Sequence, residues 1–338
     1  MGAKGLRELW IVPLLSIASL AAPSGNLRLA DAVENKDQEA VRSLLKQKAD
    51  VNAPQADGST ALAWAAHWDD LDTADLLIRA GANVNAANQF GATPLALACM
   101  NGNAVMVEKL LKAGANPNAA LLSGETALMT AVDTGNVDTV KALLAHGADV
   151  NAKETQRGQT ALMWAVAGKH TDEMRWLLEH GADVHARSKS GFTPLLFAVQ
   201  QGDLDTAEIL LGSGSDLNAA TPEGTNALLL ASAKGYDKIA LILLEKGADP
   251  NAAQQTGYTA LHYAASRGKM DLVKALLAHG ANANARSKLV EDGAAGVPIG
   301  ATPFFLAATA RNAGIMRVLA DGGADPQLGT TETLFIEG

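Results

Sequence analysis

Cysteine is almost missing: Cys99 is the only one in 338 residues. No internal disulfide can form, and no Cys-x-x-Cys pair exists for a metal or a redox couple. Signatures of catalysis are missing too. The chain has no Gly-x-Ser-x-Gly, no phosphate-cradling Gly-x-x-x-x-Gly-Lys and no His-Glu-x-x-His. It lacks an excess of positive charge, with a net charge of −9 and a pI near 5.3. That balance argues against phosphate-backbone binding as the main role, so no nucleic-acid partner is expected. Long apolar runs are also wanting. The one at Leu9 to Leu20 is too short for a comfortable membrane span.

That short run has another reading. Lys4 and Arg7 precede it, and Ser19-Leu20-Ala21-Ala22 supplies small residues where a cleavage site needs them. Residues 1–22 therefore read as a signal peptide, with Glu8 and Pro13 as blemishes and Trp10 inside it, removed after Ala21 or Ala22. The expected location is exported, periplasmic or secreted. The alternative is a membrane anchor formed by an uncleaved N-terminal segment; no other membrane contact is expected.

What the chain has in abundance is a period. A turn glycine recurs at Gly58, Gly91, Gly124, Gly158, Gly191, Gly224, Gly257 and Gly300. The steps are close to 33 residues until the last, which carries about ten more. Two residues after each glycine stands Thr60, Thr93, Thr126, Thr160, Thr193, Asn226, Thr259 or Thr302, an N-cap type opening a short alanine-rich helix. A second helix follows with a leucine pair, as in Leu110-Leu111, Leu143-Leu144 and Leu276-Leu277. It ends at a Gly-Ala-Asp/Asn exit, as at Gly81, Gly147 and Gly280. Each helix alone is too short to hold in water, so copies must stack.

This pattern resembles the ankyrin repeat, a turn plus two antiparallel helices per copy, over about 27–328. The resemblance implies an all-α fold: an ankyrin-repeat solenoid of helix-turn-helix units joined by β-turn or hairpin loops, in one elongated stack. In that family the histidine of a Thr-Pro-Leu-His segment bonds the threonine. Here Thr259 with His262 alone keeps the pair, and Ala63, Ala96, Met129, Met163, Leu196, Leu229 and Phe305 fill the histidine slot elsewhere. Residues 23–53 read as a linker and capping pair, with Leu27, Ala30 and Val33 inward on one helix and Val41, Leu44 and Leu45 on the next. Eight copies follow at 54–86, 87–119, 120–152, 153–186, 187–219, 220–252, 253–295 and 296–328, with a tail at 329–338. Asp69, Lys169 and Arg311 replace the interhelical glycine and are expected at positive φ. The extra residues near 288–299 read as a projecting loop and the first site of proteolytic nicking.

Single residues follow from the register. Cys99 falls in a small inner-helix slot beside Ala66 and Ala265, and reads as buried packing rather than a reactive thiol. His146, His180 and His279 share the position before the exit. Packed helices stand about 10 Å apart, whereas two imidazoles must each come within about 2 Å of a shared metal. They therefore read as residues suited to a helix C-terminus. His170 and His185 have no visible ligand partner, so neither metal nor cofactor is expected. Trp64, Trp164, Leu97, Phe197, Leu230, Tyr263 and Leu306 share an inner-helix slot that reads as core. Trp176 reads as half exposed on the outer helix.

The resemblance implies a binding surface at the inner-helix ends, on the concave face, continued by the turn tips. It comprises His67, Trp68, Met100, Asn101, Gln200, Gln201, Lys234 and Arg267, with tips Gln89, Phe90, Arg157, Lys189, Phe192 and Tyr258. Charges there run from acidic in 54–152 (Asp57, Glu125, Asp133) to basic in 153–285. In the latter, Lys153, Arg157, Arg187, Lys189, Lys234 and Arg267 outnumber Glu154 and Glu223. The expected function is a non-catalytic, monomeric binding module or scaffold for another protein, with Trp68 as an anchor. The alternatives are a small-molecule or peptide sensor, or a subunit supporting a partner enzyme.

Overall fold

The computed structural model describes residues 28–288 and 299–328. The leader, Leu27, most of the 288–299 loop and the 329–338 tail lie outside them. The contacts group the chain into two compact units, 1–183 and 184–338, where the sequence predicts one uninterrupted stack.

The first unit contains α1 (Leu29–Glu34), α2 (Gln38–Lys46), α3 (Ala61–His67), α4 (Leu71–Arg79) and α5 (Pro94–Asn101). It continues with α6 (Ala104–Lys112), α7 (Ala127–Thr134), α8 (Val137–Ala145), α9 (Ala161–Gly168) and α10 (Thr171–Glu179). The second contains α11 (Pro194–Gln201), α12 (Leu204–Gly212), α13 (Ala227–Lys234) and α14 (Asp237–Glu245). Its last four helices are α15 (Ala260–Ser266), α16 (Met270–Ala278), α17 (Pro303–Thr309) and α18 (Ala313–Asp321). Within each unit the odd, inner helices pack on one another, and each also packs on the even, outer helix that follows it. No strand occurs among the described residues. Two isolated bridges, Ala120–Thr126 and Ala253–Thr259, close two of the turns.

Local chemistry sets each helix. The threonine hydroxyl accepts the N–H three residues on, as from Thr93 to Ala96 at 3.2 Å and from Thr193 to Leu196 at 3.3 Å. Asn226 does the same for Leu229 at 2.9 Å. Pro94, Pro194 and Pro303 open three inner helices where a missing N–H costs nothing. Outer helices use Asp70, Asn103, Asn136, Asp203 and Asn312 as caps. The turn between inner and outer helix needs a left-handed residue. Asp69, Lys169 and Arg311 adopt it at φ 54°, 58° and 54°, as expected. Lys36 and Lys48 adopt it as well, at 57° and 59°, which the sequence reading did not foresee.

Leucines of both helices fill the interior. Leu62, Leu77, Leu110, Leu143, Leu210, Leu243 and Leu276 are fully buried, and each such side chain contributes about 2 kcal/mol. In the capping pair Ala30 and Val33 are buried as expected, joined by Leu29 and Ala32. Val41 is buried, while Leu44 and Leu45 are half-buried. Cys99 is buried, and burial pushes its thiol far above the ordinary range, so it packs and does not react.

An asparagine ladder ties each copy to the next along the exits. The Asn85 amide donates to Gly114 O at 3.1 Å and accepts from Asn116 N at 2.7 Å. Asn52, Asn118, Asn151, Asn251 and Asn284 repeat the arrangement. His185 stands in the same slot. A short amide suits the place because it presents a donor and an acceptor together.

Candidate functional site

The turn tips are built by a repeated bond. Gln89 N donates to Asp57 O at 2.8 Å, Leu122 N to Phe90 O at 3.1 Å and Thr155 N to Ser123 O at 2.9 Å. In the second unit Gln255 N reaches Glu223 O at 3.0 Å and Lys288 N reaches Thr256 O at 2.7 Å. These bonds bring successive tips so close that a side chain cannot stand at the turn glycine. A Cβ on Gly257 would lie 2.6 Å from Arg286 O.

In the first unit the expected anchor is exposed but engaged. Trp68 is 39% accessible. Its ring stacks on Trp64 at 6.0 Å, tilts against His67 at 4.5 Å and lies 3.9 Å beneath Lys36 Nζ. Trp64 in turn donates from Nε1 to Gln55 Oε1 at 2.7 Å, so rings run from the helix end back to the turn. Burial, with Lys36 nearby, holds the His67 imidazole below its ordinary value.

Met100 is half-buried and Asn101 exposed. Asn101 is engaged within the chain as well, its amide donating to Ala66 O at 3.3 Å and His67 O at 2.7 Å. It braces the end of α3, whose last carbonyls have no partner inside the helix. Gln89 is exposed, Phe90 half-buried and Arg157 exposed. Two exposed apolar side chains went unforeseen: Leu122 at 77%, in the turn bonded to Phe90, and Val105 at 61%, on outer helix α6. Periodicity places both on an outward side but carries no signal of how far each protrudes.

The expected charge pattern requires correction in both halves, at Asp57 in the acidic one and at Glu154 in the basic one. Asp57 is buried, accepting both Ser59 N and Ser59 Oγ at 2.9 Å. Glu154 is buried too and accepts from Gln156 N at 2.6 Å, Arg157 N at 2.8 Å and Gln159 N at 2.9 Å. Burial raises Glu125 above the usual carboxylate range, and the neighbouring Asp133 and Glu154 carboxylates add to the effect. Glu154 has a second consequence. Gln55 and Gln254 accept from Trp64 and from the Tyr263 hydroxyl at 2.7 Å. Glu154, in the corresponding turn position, is spent on its own longer turn, and Trp164 Nε1 is left buried without a partner.

In the second unit Lys189, Gln200, Lys234 and Arg267 are exposed, while Phe192, Gln201 and Tyr258 are half-buried. Phe192 packs on Phe197 at 5.5 Å, and Tyr258 stands 5.4 Å from Tyr263. The slot expected as core is thus split. Trp64, Leu97, Leu230 and Leu306 are buried, whereas Trp164, Phe197 and Tyr263 are half-exposed. Tyr258 also stacks on His262 at 4.9 Å. His262 accepts the Thr259 N–H at Nδ1 (3.1 Å), lies 2.9 Å from Thr259 Oγ1 and donates from Nε2 to Ala301 O at 3.1 Å. Burial lowers its pKa to about 4.

The exit histidines sit as a helix C-terminus favours. His180 and His279 donate from Nδ1 to Trp176 O and Ala275 O, each at 2.8 Å, and His146 Nε2 lies 3.5 Å from Glu108. No group of metal-ligand type occurs among the described residues. On the outer helices a hollow of about 550 Å³ between α6 and α8 is lined by Val105, Glu108, Lys112 and Ala142 and stands open to solvent. Trp176 is half-exposed as expected and lies 4.8 Å from Lys141 Nζ.

A family model of ankyrin repeats, in three copies, matches residues 29–120, 69–154, 102–188, 152–221, 186–254 and 228–330. The chain belongs to the ankyrin-repeat family. The crystal structure of the ankyrin repeat domain of Bcl-3, a member of the IκB protein family, is similar at 31% identity with a TM-score of 0.60. The match covers 65% of this chain and 99% of that one. No curated protein matches the chain. The fold is therefore an all-α ankyrin solenoid, a framework that serves as a scaffold for interaction with other proteins.

Proposed function

We propose that this ankyrin-repeat protein is a non-catalytic module that binds a protein partner through its inner-helix ends and turn tips. The observation that carries the reading is the contrast between frame and surface. Caps, ladder asparagines and buried leucines recur copy after copy, while His67-Trp68, Gln200-Gln201, Lys234 and Arg267 differ in one frame position. Exposed Trp68 and Leu122 add the large apolar contacts from which binding hot spots are made. The hollow beside Val105 is open rather than enclosing, which favours a macromolecular partner over a small molecule.

The test is capture with the tagged full chain, identification by mass spectrometry, and titration of the purified partner. A binary complex with no substrate turnover supports the reading. The absence of any protein that binds the purified chain overturns it. We further propose export directed by residues 1–22, supported by the basic start, the apolar run and the small residues at 19–22. N-terminal sequencing of exported protein should begin after Ala21 or Ala22; a soluble product that keeps Met1 contradicts this.

A further inference from the structure

Cations gather at the inner-helix ends of the second unit. Lys234 closes α13, and Arg267 stands just past α15; both are exposed. A Cβ on Gly235 would lie 3.8 Å from Arg267 Nη1 and 4.0 Å from Lys269 Nζ, so two cations approach the glycine that follows Lys234. One carboxylate answers them, Asp237, at 2.8 Å from Lys269 Nζ. A negative helix C-terminus tolerates a cation, and Asp237 offsets Lys269, but Arg267 and Lys269 standing this close still favour a further anion. The acids of this unit lie mostly elsewhere, with exposed Asp205, Glu208, Glu245 and Asp271 on the outer helices and Glu223 on a turn.

Aromatic surface adjoins the cations. Arg267 stands one turn after Tyr263, and its charge reaches that phenol. The Tyr263 hydroxyl is fixed on Gln254, with Tyr258 edge-on beside it. Both rings are half-exposed. Rigid rings next to unmatched cations suit a chain in which carboxylates alternate with apolar side chains.

Building on the protein-binding reading, we propose that the inner-helix face of residues 184–338 selects an acidic, extended polypeptide segment. Its carboxylates meet Lys234 and Arg267, and its apolar side chains lie on Tyr258 and Tyr263. Phosphate could answer the same cations, but the net charge of −9 disfavours a long nucleic-acid polyanion.

The test is fluorescence anisotropy on the full chain with three probes. They are a peptide alternating glutamate with leucine and phenylalanine, the same peptide with lysine for glutamate, and single-stranded oligothymidine. The acidic peptide should bind about tenfold or more tighter than the lysine form, weaken with salt, and lose about tenfold in Lys234→Glu/Arg267→Glu. Both substitutions fall on exposed side chains, and circular dichroism checks that the variant folds. Trp176→Ala, on outer helix α10, should leave this binding unchanged. Equal affinity for the two peptides, an unaffected double variant, or tighter binding of oligothymidine overturns the proposal. A captured partner that binds the double variant as well as the native chain also overturns it, while leaving the protein-binding reading standing. Failure to capture any partner removes that reading instead.

Discussion

His262 gives the second unit a pH dependence that can be worked out in advance. The side chain has no accessible surface, and burial holds its pKa near 4 against an ordinary value of 6.5. The folded chain therefore keeps a neutral imidazole where the unfolded chain takes up a proton. Stability from this group is fully present above about pH 6.5 and is lost as pH falls from there toward 4. At about 1.4 kcal/mol per pKa unit, the loss is about 1.4 kcal/mol by pH 5.5 and roughly 3 kcal/mol by pH 4. His67, also held low, acts in the same direction, while Glu125, held high, opposes it. A difference measurement removes both. His262→Leu, with the residue type of Leu196 and Leu229, leaves Thr259 N and Ala301 O without their partner and should cost roughly 1–3 kcal/mol at neutral pH. Urea unfolding of both proteins across pH 7.5 to 4, followed by circular dichroism, should show the native chain losing roughly 3 kcal/mol more than the variant. Parallel pH curves would refute the assignment of a buried neutral imidazole.

Three further outcomes are expected. Trp68→Ala should lower stability by about 1 kcal/mol through lost contacts with Trp64 and Lys36, and an unchanged urea midpoint contradicts those contacts. Asn251→Ala removes the bonds to Gly280 O and Asn282 N and should cost about 1 kcal/mol. Faster amide exchange near Asn282 would show it. Lys169→Gly should gain about 0.5 kcal/mol, because the φ of 58° strains lysine more than glycine; a fall in melting temperature sinks that argument.

The frame was legible because each part of it is local chemistry. Thr93 caps because a hydroxyl sits three residues before the N–H it meets, and Asp69 turns left-handed because a helix must end there. Lys36 and Lys48 escaped notice because the capping pair departs from the glycine register that marks the other turns. The ladder escaped because its bonds link residues about 30 apart, and sequence shows the asparagine without its partners. The surface was legible in outline only. The register placed Trp68 at a helix end, but not Lys36 over its ring. Asp57 and Glu154 counted as surface charges until their turns folded around them. The brace that Asn101 forms escaped because nothing in its neighbourhood along the chain reveals the carbonyls of the preceding copy.

The most direct test of the account is to map the partner on the purified chain by titration calorimetry. Three variants decide it: Lys234→Glu/Arg267→Glu and Trp68→Ala on inner-helix ends, and Trp176→Ala on outer helix α10. The account expects about tenfold or greater weakening in at least one inner-end variant and native affinity in Trp176→Ala. Native affinity in both inner-end variants, with weakening only in Trp176→Ala, would contradict it and move the interface to the outer helices.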